Sequence, residues 1–566
     1  MTRLVLALLA ALLLTSCANI PEQTAPQVVP QSETPLKQSL QGPVKDADAI
    51  SVVRDFIKKS GKTAVAQAYL TEDAKRVWRP DNQPTIIGDD FSTVPQATGK
   101  ENDPNLANVE VKGTKIGMLN SDKSFVSQPQ QFTETVKLAK QDGQWRISEV
   151  PGNGLVVPLT DFNASYRPVR LYFYDGTKTV LVPDLRYLPG APLAAPSDIV
   201  SALLAGPAQG LRQAMRSELP PTTFQRTNAV QANGALVVNL SEMGSMTAED
   251  KELVAQQLVL SLQDVASTVR IQVEGLPLMP DKSDWRTADL QGLTEKTTPG
   301  ANLPGDLVFG NRLRSLKDNQ PVQGPAGDGT YHVESAARSV DGSQLAVVDR
   351  VPNGLQLRVG GRDEGLRDVG GVAKEMTRPT WQFGLQSNQI GNEVWTVADG
   401  AVIRMSRTKE SNWQALPVNY TELAPFGKIT ELRLSRDGVR VAVVAGGKLY
   451  IGAVARSDNG GVTISGPKPV PEVNDVVSVD WLNQSTVMVA TNSPTAPVWR
   501  VPVDGVEAER FSPTNLTLPL TSITAAPSRV VIVTDAVGLW QASEAGQIWT
   551  PYSPNPGPSA RPFYPG

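Results

Sequence analysis

The chain has 566 residues, with 57 acidic and 53 basic side chains, a formal net charge of −4, one cysteine and one histidine. That balance argues against a nucleic-acid partner or a polybasic membrane-binding surface, and the single cysteine excludes an internal disulfide or a thiolate metal cluster. With 46 glycines and 45 prolines the chain reads as turn-rich and mostly β, and it is long enough to bury several cores.

Arg3 and the unbroken apolar run Leu4–Leu14 come first, followed by Leu14-Thr15-Ser16-Cys17. Eleven helical residues span only about 17 Å, too short to cross a bilayer, so the run reads as a signal-peptide core over residues 1–16. The only cysteine stands where a bacterial lipobox places its acceptor. Cleavage is therefore expected between Ser16 and Cys17, with an S-diacylglycerol and an N-acyl group on Cys17, holding the chain at the outer face of the cell membrane. Loss of Arg3 with the signal takes the net charge from −4 to −5. Residues 17–44 carry Pro21, Pro26, Pro30, Pro35 and Pro43 among polar residues and no periodic apolar face, which predicts a disordered, lipidated stalk.

Residues 45–160 predict a small α+β domain. Ile50, Val53, Phe56 and Ile57 recur at helical spacing, and a second helical stretch runs from Thr63 to Trp78. Strands are predicted at Val109–Leu119, Gln131–Leu138 and Gln144–Val150, the last two joined at Asp142-Gly143. The ending Gln-Asp-Gly-Gln-Trp-Arg-Ile resembles the last hairpin of the cone-shaped domains named after nuclear transport factor. Trp78 and Trp145 read as core.

Residues 165–285 predict a second α+β unit. Val169–Tyr174 and Thr179–Tyr187 read as paired strands, and Ser197 as the N-cap of a helix stopped by Gly206-Pro207. Asn233-Gly234 turns into the strand Ala235–Leu240. Thr247 and Asp250 form a capping box ahead of a longer helix, and Val269–Val273 closes the unit. The Leu-Tyr-Phe-Tyr strand at 171–174, Ala-Leu-Leu-Ala-Gly-Pro at 202–207, Val-Val-Asn-Leu-Ser at 237–241 and Ile-Gln-Val-Glu-Gly at 271–275 resemble the GerMN domain. The resemblance implies an extracytoplasmic interaction module and brings no catalytic residues.

Residues 300–555 are repetitive. Ser-Val-Asp-Gly-Ser-Gln-Leu-Ala-Val-Val at 339–348 returns as Ser-Arg-Asp-Gly-Val-Arg-Val-Ala-Val-Val at 435–444, and Trp381 is echoed by Trp481. Strand starts near Ala336, Trp381, Arg433, Trp481 and Thr524 give a period of roughly 43–52 residues, which marks β-propeller blades rather than a β-sandwich. Five blades are expected, with Asp306–Leu316 available to complete a sixth, and residues 556–566 are expected to be a Pro-rich tail.

The residues permit little chemistry. His332 is the sole histidine, so a multi-histidine zinc site is excluded, and no nucleophile elbow or glycine-rich phosphate loop accompanies it. Ser406-Arg407-Thr408-Lys409 and Ser457-Asp458-Asn459 match two motifs of penicillin-recognising enzymes. Ser406 follows a strand pattern instead of opening a helix, and the third motif is absent. Asp363, Glu364 and Asp368, interleaved with Arg362 and Arg367, read as a solvated loop. No catalytic residue, metal or cofactor is assigned.

Lipobox, stalk, N-terminal domain, GerMN-like module and propeller, in that order, resemble the LpqB family of actinobacterial lipoproteins. The resemblance implies a non-enzymatic accessory whose partner is the extracellular domain of a membrane sensor histidine kinase of the MtrB type. Through the MtrA–MtrB two-component system it would influence cell-wall homeostasis and division. The alternative is a lipoprotein that binds or hydrolyses cell-wall glycan on the propeller face with a carboxylate pair.

Overall fold

The structure, a computed structural model, describes residues 42–566 except 81–82, 98–102, 191–192, 291, 294–296, 301, 363, 383–391, 409–411, 458, 544–545 and 547. The expected signal peptide, Ser16, Cys17 and nearly all of the expected stalk lie outside the described residues.

The first helix, Ala49–Lys59, begins where the Asp48 carboxylate accepts the Ser51 N–H at 2.9 Å, and it buries Val52, Val53, Phe56 and Ile57. The helical stretch expected from Thr63 to Trp78 is broken into Thr63–Ala66, a 3-10 turn at Gln67–Tyr69, and Glu72–Val77. The break has a physical cause. Leu70 bridges to Ile147 and the Thr71 N–H donates to the Ile147 carbonyl, which pulls the chain onto the sheet before Thr71 caps the next helix. The sheet runs Gln144–Glu149, Phe125–Gln141, Leu106–Leu119, Thr85–Ile87, Val156–Pro158, with Ser92–Gln96 also paired to Leu106–Leu119. Asp142 and Gly143 both adopt positive φ, the geometry of a tight hairpin turn. A register shift at Lys115–Gly117 bends the long hairpin, and a Cβ on Gly117 would meet the Phe125 ring and the Val126 carbonyl. Trp78 is buried in this core, and Trp145 packs half-buried on its edge beneath Lys140.

In the middle domain Ala235–Ser241 and Thr268–Val273 pair in parallel, a connection that needs a crossover; the helix Ala248–Ser261 supplies it. The Thr247–Asp250 capping box forms as expected. Ser197 does not cap. The shorter helix starts at Pro196 after Ala195, and the Ser197 hydroxyl accepts the Ala229 N–H at 2.8 Å from the edge strand Phe224–Ala232. A second sheet, Leu181–Pro189 with Tyr166–Asp175 and Met215–Arg216, packs against the same helices.

Five four-stranded sheets and one three-stranded sheet form the C-terminal half. Their inner strands are Val333–Arg338, Thr380–Trp381, Ile429–Leu434, Val476–Asn483, Ser522–Thr524 and Arg561–Phe563, and each neighbours the next around one axis. The propeller therefore has six blades. The sixth joins Asp306–Phe309 and Arg312–Ser315 to Arg561–Phe563, so residues from the two ends of this half close the ring. This corrects the reading of 556–566 as a tail. Its prolines suggested no ladder, yet an innermost strand is an edge strand, where proline is tolerated. The sequence repeats acquire a cause here. The indole N–H of Trp381 donates to the Ala337 carbonyl, and that of Trp481 to the Arg433 carbonyl, each stitching its blade to the preceding one. Gly342 and Gly438 take positive φ in matching turns, where Ser339 and Ser435 hydroxyls donate to Asp341 and Asp437.

Candidate functional site

The residues singled out in the sequence do not converge. Cys17, Asp363, Lys409 and Asp458 lie outside the described residues. His332 is exposed just before the first blade, and its contribution is a backbone N–H donated to the Asp349 carboxylate at 2.7 Å. Ser406 lies within the strand Ala401–Arg407, opposite Glu393 and Gln414, and so opens no helix. Glu364 is exposed, whereas Asp368 is ion-paired to Arg358, which also holds Asp349 at 2.7 Å.

Two places do gather functional groups. The first is the junction of the three domains. Tyr187, on the middle domain's strand Leu181–Pro189, packs its ring 6.2 Å from Phe125 and 5.1 Å from Phe162 of the N-terminal domain. Its hydroxyl donates at 2.8 Å to Asp504, in the turn that ends the third strand of the fourth blade. Burial pushes the Asp504 carboxyl above its ordinary range, and the Val506 N–H and the tyrosine partly offset this. Val506 itself joins the N-terminal core. Nearby, buried Arg186 pairs with Asp184 at 2.6 Å and donates to the Asp122 carbonyl at 2.5 Å, while Arg440 of the third blade reaches the Pro183 carbonyl at 2.6 Å. These bonds surround a cleft of about 480 Å³ walled by Phe125, Val126, Leu185, Ile451, Lys468 and Val503. Desolvation there lowers the Lys468 ammonium pKa.

The second place is the propeller axis. In Glu-Leu-Arg-Leu at 431–434 charged and apolar residues alternate: Leu432 and Leu434 join the blade core, and Glu431 and Arg433 are buried on the opposite side. Buried Arg433 donates to the Pro379 carbonyl at 2.6 Å; buried Arg436 donates to the carbonyls of Trp481, Ala525 and Pro565. Asp480 lies 3.7 Å from Arg433 and 3.8 Å from Arg378 and accepts the Thr524 hydroxyl at 2.7 Å. Burial alone would raise Asp480, but the guanidiniums of Arg433, Arg378 and Arg436 outweigh it and hold the carboxyl below its usual range. Glu431 is pushed up by burial, which Arg378 and Arg433 only partly offset. Gly566 donates its N–H to the Arg338 carbonyl and accepts from Arg433, so the chain itself occupies the end of the channel toward the Asp437-Gly438 turn. The other end opens as a cavity of about 280 Å³. Sequence reasoning missed Tyr187, Arg378 and Asp480 as site residues. The one available signal was charge placed within strand-like runs beside the repeated tryptophans.

Comparison with known proteins follows the same division. The chain matches the family model described as "Lipoprotein LpqB, N-terminal domain" over residues 42–163 and the one described as "Sporulation and spore germination" over 170–279. It matches "Lipoprotein LpqB beta-propeller domain" over 310–565. Lipoprotein LpqB of Nocardia farcinica is 29% identical, covering 100% of this chain and 98% of that protein. Lipoprotein LpqB of Mycolicibacterium smegmatis is 28% identical, covering 100% and 99%. Among solved structures, a β-propeller domain of Cps50 (Swd1) from Myceliophteria thermophila is 13% identical, covering 41% of this chain and 76% of that one, with a TM-score of 0.29. Three domain models in this order, together with relatives that align from end to end, assign this chain to the LpqB family of lipoproteins.

Proposed function

We propose that this lipoprotein is a non-enzymatic accessory of a membrane sensor histidine kinase of the MtrB type, acting on the kinase's extracellular domain from the outer face of the cell membrane. The observation that carries the reading is the junction at Tyr187. Aromatic packing and a part-buried hydrogen bond unite the three domains there, so a partner meets one continuous surface rather than beads on a string. A second support is the fate of the charged groups. Asp349, Asp368, Glu393 and Asp480 each engage arginines within the fold rather than facing one another across a cleft as a hydrolytic carboxylate pair would. The choice of kinase comes from the LpqB resemblance.

Attachment is proposed to run through lipid on Cys17, because no helix among the described residues is long and apolar enough to cross a membrane. Two acyl chains suffice for stable anchoring. Confinement of both proteins to one membrane raises their local concentration, so an intrinsic Kd of about micromolar order is adequate. Two measurements test the reading. Calorimetric titration of residues 18–566 with the kinase ectodomain is expected to show that affinity, and Cys17→Ser is expected to abolish acyl labelling and complementation of a deletion strain. Absence of ectodomain binding together with cleavage of wall glycan by the purified protein would overturn it.

A further inference from the structure

The propeller channel holds a charge imbalance that the protein does not resolve by itself. Arg378, Arg433 and Arg436 bring three guanidiniums to the axis, against the two carboxylates of Glu431 and Asp480. Arg436 spends its donors on backbone carbonyls and Arg433 all but its Nε, which satisfies hydrogen bonds but leaves the charge in place. Arg433 responds with a pKa lowered to about 9, through burial first and repulsion from Arg378 second.

Arg378 is in a different position. Arg378 lines the 280 Å³ cavity, and its guanidinium carbon lies 5.6 Å from the centroid of the Phe563 ring. Its Nε and Nη2 are buried and have no hydrogen-bond partner, and the Asp480 carboxylate, at 3.8 Å, is beyond hydrogen-bond reach. Buried polar groups are almost always paired, and a charged donor without an acceptor is costly to keep. On the same cavity wall, the hydroxyl of Ser335, a residue 8% exposed, has no hydrogen-bond partner among the described residues. The carboxylates on the same wall are already engaged: Glu334 pairs with Arg350 at 2.6 Å, and Glu431 accepts from the Val479 N–H at 3.1 Å and the Ser478 hydroxyl at 3.4 Å.

We propose that this mouth is a binding site for a small oxyanion, a carboxylate or a phosphate group, which the unneutralised charge of Arg378 attracts and Ser335 engages through its hydroxyl. A guanidinium that no carboxylate of the fold reaches within hydrogen-bonding distance favours an anion as its counter-charge, and the anion offsets the guanidinium charge deeper in the channel. The site lies at the end of the channel away from the Val340 and Val439 turns that pack on the middle domain, so the assembled protein leaves it accessible.

The test is titration of residues 18–566 with inorganic phosphate and, separately, with citrate, at ionic strength matched by chloride, followed by calorimetry and thermal unfolding. The wild type is expected to bind at least one of the two anions and to gain thermal stability from it; which one binds separates a phosphate ligand from a carboxylate ligand. Arg378→Gln is expected to weaken binding about tenfold, the loss typical of a charge-assisted contact. Ser335→Ala leaves every charge in place and is expected to weaken binding several-fold with an unchanged unfolding midpoint in anion-free buffer, so the proposal stays testable if the arginine variant folds poorly. Equal stabilisation by chloride alone, no binding of either anion, or unchanged affinity in both variants would each overturn it.

Discussion

Phe563→Ala probes whether the sixth blade closes the propeller. Phe563 is 1% exposed and belongs to a core with Val308 and Leu313 of its own blade and Val333, Ala336, Leu345 and Val347 of the first. Truncating a phenylalanine in such a setting removes its transfer free energy and leaves a cavity that rigid sheets on both sides cannot collapse to fill, at a cost of about 3–5 kcal/mol. A domain of this size shifts its unfolding midpoint by about 2–4 °C per kcal/mol, so a fall of about 6–20 °C is expected in the propeller transition. Val537→Ala, at a side chain 57% exposed on the fifth blade, is the control and should stay within about 0.5 kcal/mol. Differential scanning calorimetry of both variants beside the wild type reads the difference. If Phe563→Ala moves the midpoint no more than Val537→Ala, the strand Arg561–Phe563 does not close the ring, and the six-bladed account fails.

Tyr187→Phe keeps the ring against Phe125 and Phe162 but removes the donor to buried Asp504, costing about 1–3 kcal/mol. Faster hydrogen exchange in the Asp504–Val506 turn is expected, and exchange at the wild-type rate would show that the bond does not hold the junction. Glu393 receives Arg456 at 2.7 Å, Arg404 at 2.9 Å and the Trp395 indole at 2.7 Å. Burial alone would raise its carboxyl, but these partners outweigh burial and hold it below its ordinary value of 4.5. A depressed carboxyl contributes stability that is fully present above 4.5 and lost as pH falls through the folded value. Glu393→Gln, which leaves two guanidiniums without their counter-charge and turns an amide NH2 toward one of their donors, is expected to cost up to about 3–5 kcal/mol at neutral pH. The gap in urea unfolding midpoint should narrow as pH drops below 4.5; a pH-independent gap would refute the assignment.

Much of the fold is legible in the chain itself, for a reason particular residues make plain. Asp142-Gly143 makes its hairpin, Thr247 and Asp250 their capping box, and Asp341-Gly342 and Asp437-Gly438 their matching turns, because each is settled by residues within a few positions of one another. Alternation in the repeats is likewise local, so Ala336, Trp381, Arg433, Trp481 and Thr524 each fall within the inner strand of a blade, although the strands themselves start earlier, at Val333, Thr380, Ile429, Val476 and Ser522. Local reading fails where a distant segment competes. Leu70 and Thr71 look helical until Ile147 pulls them to the sheet, and Ser197 looks like a cap until Ala229 supplies a donor.

The sequence alone, then, determined the domain order, the repeat and the poverty of catalytic groups. Tertiary structure decided the sixth blade, where Pro562 lies beside Leu307, and the junction, where Tyr187 meets Asp504 across 317 residues of chain. It also decided which charges share the propeller axis. Arg378, Glu431, Arg433 and Asp480 read one at a time as ordinary polar positions on alternating strands. Only ring closure brings those positions onto one axis, where low dielectric and the lack of bulk water make their pairing, and the donors of Arg378 left unpaired, energetically consequential.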